Sequence, residues 1–149
     1  MNAICLPWPD KALNPNARVH YLMRHRAARK QRSHACYLGH GGKRLQKPFC
    51  TVLPIVATRR RRDLDNVLAS LKSALDGLTD AGWWDDDHHI GGYHIAQQIH
   101  CPKLADNRVV IIACEQDELL DLSAMVDDFR IAAGTNCHSA ASQILGVTL

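Results

Sequence analysis

The chain has 149 residues, a net charge of +3, 46% hydrophobic and 22% charged residues, the make-up of one ordinary globular domain long enough to build a single core. It holds no internal repeat, no signal peptide and no apolar run near ~18 residues, so the sequence reads as cytosolic, with no membrane partner. Six cysteines are scattered without a C-x-x-C pair, which gives neither a zinc site nor a disulfide framework and leaves them expected to be reduced. The small net charge conceals an asymmetry. Residues 1–62 carry 14 Lys and Arg against Asp10 alone, a balance of +13, and residues 63–149 carry a balance of −10. Such a basic half points to a nucleic-acid partner.

Ala3 to Trp8 is apolar, closed by Pro7 and Pro9, and predicts a first strand. Lys11 to Asn16 reads as loop. From Ala17 to about Tyr37 the pattern predicts a basic helix, with Val19, Leu22, Met23, Ala27, Ala28 and Ala35 as a modest apolar face. Arg24, Arg29 and Arg32 lie among its cations as candidate DNA contacts. Gly39, Gly41 and Gly42 lead into a flexible basic loop with Lys43 and Arg44, further DNA candidates. The loop lacks G-x-x-x-x-G-K-[ST], so it is no nucleotide P-loop. Pro48 to Thr58 predicts a strand bulged at Pro54.

The central stretch is RRRRDLDNVLASLKSALDGLTDAGWWDDDHHI, residues 59–90. Leu64, Val67, Leu68, Leu71, Leu75 and Leu78 recur at helical spacing, so one helix is expected, with Asp63 or Asp65 as its N-cap. Its ends would stand roughly 20 Å apart, and Gly82 permits the reversal that brings Asp85, Asp86 and Asp87 back toward Asp63 and Asp65. If the segment before the helix is extended, Asp63 and Asp65 fall on one side. Clustered carboxylates repel unless something neutralises them, and a magnesium ion, a hard cation that prefers oxygen ligands, would do so. Arg60, Arg61 and Arg62 beside the acids suggest a polyanionic substrate. Asp-x-Asp alone is a weak signal, found equally in phosphatases and in plain helix caps. A dehalogenase-type phosphatase would place it after a hydrophobic strand, whereas four arginines precede it here. Trp83 and Trp84 are expected to supply at least one core residue, the other being free to stack on a base. His88 and His89 read as a solvated turn. Beyond the helix, Ile90 to Ile99 predicts a strand, Arg108 to Cys114 a buried strand, and Leu119, Leu122, Val126 and Phe129 an acidic C-terminal helix capping the core. Gly134 to Leu149 is weakly patterned, and is expected to pack on a neighbouring subunit or to be mobile.

The order RRRRDLDN, a lysine-bearing helix, then ALDGLTDAGWWDDD resembles the RusA family of Holliday-junction resolvases, as does the opening Leu6-Pro7-Trp8-Pro9 with Asn14 and Asn16 just downstream. The resemblance covers roughly residues 4 to 113. It implies a single α/β domain with a small mixed sheet that forms a homodimer. The RusA-like part would end near residue 115, with an acidic helix and tail (116–149) packed on it. It further implies cleavage of four-way branched DNA in recombination and repair, in a bacterial cytoplasm or encoded by a phage, with one or two magnesium ions per subunit. By position Asp63, Asp65 and Asp87 match the family's metal-binding aspartates, Asp86 an accompanying acid, and Lys72 the catalytic lysine. Lys72 follows Asp65 by seven residues where the family has four, which puts Ala69 at the usual lysine position. The alternative is a DNA-binding module without catalysis, which needs the basic face but no convergence of acids.

Overall fold

The run RVVIIACE at residues 108–115 carries the architecture. As strand β5 (Arg108–Glu115) it alternates faces. Val109, Ile111 and Ala113 join one core cluster, while Val110, Ile112 and Cys114 join the other. A strand buried on both sides needs a continuous apolar run, and that is what the sequence supplies. The computed structural model describes residues 1–102 and 104–148; Leu149, the end of the weakly patterned tail, lies outside them. Around β5 a mixed sheet forms in the order β1 (Asn2–Pro7), β5, β2 (Pro48–Val56), β3 (Gly92–Ile95), with β4 (Ile99–His100) also on β2. β1 and β2 run antiparallel to β5, while β3 and β4 run parallel to β2. The chain is a mixed α/β single domain, as expected.

No bulge is needed at Pro54. β2 pairs with β5 in unbroken register through Pro54↔Val109. On its other edge β3 ends at Val52↔Ile95 and β4 begins at Ile55↔Ile99. Pro54 thus falls in the gap between the two partners, where its missing N–H interrupts no ladder. The strand expected over Ile90 to Ile99 is divided for the same reason.

Helices α1 (Tyr21–Gly39), α2 (Leu64–Ser70) and α3 (Lys72–Asp80) cover one face, and α4 (Leu119–Ala140) the other. Leu122, Val126 and Phe129 of α4 are buried against the sheet, as their spacing predicts. The tail packs on the domain itself. Cys137, Ala140, Ala141, Leu145 and Val147 are buried in the same cluster, past a non-helical kink at Asn136.

The basic helix α1 begins at Tyr21 and seats itself differently from its apolar pattern. Leu22 and Met23 are 45% and 58% exposed, while Ala35 and Gly39 are buried. Small residues govern this contact. A Cβ on Gly77 of α3 would lie 2.3 Å from the Arg32 carbonyl oxygen, and one on Gly39 would lie 2.8 Å from Leu78 Cδ2. The two helices therefore approach with their backbones nearly touching. Gly77→Ala should destabilise the protein by roughly 1–3 kcal/mol, the usual cost of overpacking. Gly91→Ala, whose Cβ would meet only the Pro48 carbonyl at 3.8 Å, should stay within about 0.5 kcal/mol of wild type. Urea unfolding midpoints check this, and equal destabilisation of the two variants would contradict it.

Candidate nucleic-acid interface

Past Val56 the chain leaves the sheet, and the arginine run is fixed by one side chain. Gln98 donates from Nε2 to the Arg60 carbonyl at 3.1 Å, and its Oε1 accepts from the Arg62 N–H at 2.9 Å. The Arg62 guanidinium lies over the Trp8 ring, Cζ 5.4 Å from the centroid, a cation–π contact that orients it. Between this segment, the loop after β1 and the start of α2 lies a cleft of about 500 Å³. Asp63 lines it. Asp63 Oδ2 accepts from Asn66 Nδ2 at 2.7 Å, and Asn66 Oδ1 accepts from Asn16 Nδ2 at 3.4 Å. Asp65 is exposed and makes no hydrogen bond or ion pair among the described residues.

The single helix expected over this stretch is broken at Leu71 (φ −96°, ψ −1°) into α2 and α3. Asp63 occupies the N-cap position without a capping bond, and Asp65 sits in the first turn. The expectation that both lie on one side of an extended segment is therefore corrected. The helix begins between them, with Asp63 at the extended cap and Asp65 inside the first turn, so the two-residue period of a strand does not apply. At the other end Gly82, at φ +82°, makes the reversal. Trp83 and Trp84 then both enter the core, each 1% exposed, so neither is free to stack on a base. Trp83 Nε1 donates to the Gly39 carbonyl at 2.8 Å, and Trp84 Nε1 to Thr79 Oγ1 at 2.7 Å.

Beyond them, each acid of the second cluster meets a nitrogen of a neighbouring side chain. Arg44 pairs with Asp85, His88 Nδ1 lies 2.9 Å from Asp86 Oδ1, and Lys72 Nζ lies 3.4 Å from Asp87 and 3.5 Å from Asp76. Asp76 first, then the Asp87 hydrogen bond, raise the Lys72 pKa above its ordinary value. The backbone N–H of His88 and then its ring hold the Asp86 carboxyl below the usual carboxylate range. One turn on, Arg32 forks onto Asp80 at 2.6 and 2.8 Å.

Of the residues matched to the family, Lys72 and Asp87 are brought together. Among the described residues, no group of three or more His, Cys, Asp or Glu is arranged to hold a metal ion. Asp87 is engaged by Lys72, while Asp63 and Asp65 stand at the cap and in the first turn of α2.

The other basic candidates divide. Arg24 is tied to the Ala12 and Ala17 carbonyls at 3.3 and 2.9 Å, and Arg32 and Arg44 are ion-paired. Arg29 is exposed beside a shallow groove with His25 and Ser73. The loop carrying Lys43 is not free, because the buried Asn2 side chain bonds both the Lys43 N–H and its carbonyl, at 2.9 and 2.6 Å. Arg60, Arg61 and Arg62 are in no ion pair among the described residues. Gln98 and Asn107, which shape the cleft, follow no pattern visible in the sequence; only Trp8 and Asn14 stand in a motif that could have pointed there.

No family model matches the chain. It is similar to an uncharacterized protein of Xylella fastidiosa (strain Temecula1 / ATCC 700964), 38% identical over 97 residues. The match covers 60% of this chain and 63% of that protein's length. Among the described residues no helix is long and apolar enough to cross a membrane.

The Arg32 fork, ahead of opposing burial, lowers the Asp80 pKa. A lowered pKa adds stability above the carboxyl's unfolded value of about 4, and that stability is lost as the pH falls through the folded one. The increment is small for so exposed a pair. In an NMR titration the Asp80 carboxyl should titrate below the ordinary carboxylate range and move upward in Arg32→Gln; an unchanged titration would remove the fork from solution.

Proposed function

We propose that this protein is a RusA-like endodeoxyribonuclease that acts as a homodimer on four-way branched DNA, hydrolysing phosphodiesters in a magnesium-dependent reaction of recombination and repair. The observation that supports the reading is the meeting of Lys72 with Asp87 across 15 residues of sequence, at 3.4 Å. These are the lysine and the third aspartate that the motif resemblance selects. Against the family pattern the three extra residues fall between Asn66 and Lys72, and the break at Leu71 lies in that stretch. The Lys72 ammonium, or the guanidinium groups of Arg60 to Arg62, would neutralise charge developing on the phosphoryl oxygens. Magnesium dependence belongs to this proposal, with Asp63, Asp65 and Asp87 as the carboxylates that would hold the ion.

A second reading, a structure-specific DNA-binding module without catalysis, is favoured by the ion pairs that already engage Asp85 and Asp87, with Arg44 and Lys72. Incubation of the protein with synthetic four-way junctions, with and without magnesium, separates the two. The nuclease reading expects paired nicks that need magnesium and vanish in Asp65→Asn, with junction binding retained. Lys72→Ala should cut ~10² more slowly if the ammonium stabilises transition-state charge. Binding without cleavage in any divalent metal would establish the module and remove the nuclease.

A further inference from the structure

The cleft beside Asp63 gathers cations and amide donors. Asn107 Oδ1 accepts from the Ala57 N–H at 2.9 Å, and Asn14 Oδ1 from the Asn16 N–H at 2.9 Å. Because a backbone N–H can only donate, both amides are oriented without ambiguity, and the end each leaves free is its NH₂. Neither NH₂ has a partner among the described residues. Arg62 Nε is buried without a hydrogen bond, an N–H that folding has desolvated and left without an acceptor. Lys11, Arg60 and Arg61 line the same space, and Asp63 is the one acid there, with an oxygen already engaged by Asn66. A concave site with four cations, one carboxylate and amide hydrogens held by backbone contacts selects an anion with several acceptor oxygens. Trp8 fixes the guanidinium, so little side-chain ordering is required on binding.

We propose that this cleft is a phosphate seat, shaped for one phosphate of a nucleic-acid strand, with Asn14 and Asn107 as positioning donors and Arg62 as the charged one. The anion preference follows from the cleft itself; only the strand that supplies the phosphate rests on the nucleic-acid reading above. In ¹⁵N-labelled full-length protein, the side-chain amide signals of Asn14 and Asn107, assigned by their disappearance in Asn14→Asp and Asn107→Asp, should shift saturably with inorganic phosphate. Each variant keeps the acceptor for its backbone N–H while replacing the free donor by an acceptor. Thermal unfolding should therefore hold near wild type, while affinity for a synthetic four-way junction falls roughly tenfold or more, the scale of a hydrogen bond to a charged group. The salt slope should shrink by about 0.9 for each phosphate that the variant no longer neutralises. Signals that stay still in phosphate, or variants that bind the junction as tightly as wild type, overturn the seat while leaving the nucleic-acid reading standing. Saturable shifts with phosphate in a protein that binds no junction overturn that reading and the strand, and leave the anion site.

Discussion

The contact on which the candidate interface depends is the near-touching of α1 and α3 at Gly77, Ala35 and Gly39. Only a glycine at 77 lets the Arg32 carbonyl come so close, and this approach sets the height of α3 against the sheet. The Trp83 indole completes the joint. Its N–H reaches the Gly39 carbonyl at 2.8 Å, and its ring lies where a Cβ on Gly42 would intrude at 2.2 Å. With α1, the glycine loop and the turn after α3 locked together, the acids that follow Trp84 have little choice but to lie along α3 and its neighbours. Lys72 and Arg44 are the cations they meet there.

That arrangement changes the meaning of the charge asymmetry. Along the sequence a basic half precedes an acidic one, but in the fold the halves interleave. Arg32 meets Asp80, Arg44 meets Asp85, and the N-terminal ammonium meets Glu118. Like charges close together need neutralising; here Arg44 stands beside Asp85 and Lys72 beside Asp87. The arginines at residues 60–62, in no ion pair among the described residues, line a cleft together with Asp63, a setting in which low-dielectric walls concentrate a field.

Much of the fold is legible in the sequence, because burial and periodicity write it there. The apolar run of β5, the strand before the arginines, the acidic α4 and the helical spacing after Asp63 all appear where the pattern puts them. Features set by contact between distant segments are not legible. The break at Leu71, the exposure of Leu22 and Met23, and the division of β3 from β4 opposite Pro54 arise from packing partners that no local window contains. The site divides in the same way. Lys72 and Asp87 are singled out by the family resemblance, but the engagement of Asp87 in an ion pair depends on where a lysine side chain ends, and the roles of Gln98 and Asn107 depend on loops meeting in space.

In the proposed function, DNA would engage the arginine cleft and the start of α2, rather than the acidic outer face of α4. Hydrogen exchange of the full chain with and without a synthetic four-way junction tests it most directly. The account predicts slowed exchange in residues 8–17 and 59–70, with α4 unchanged. Protection concentrated in residues 119–140, with the arginine segment exchanging as in the free protein, would contradict it.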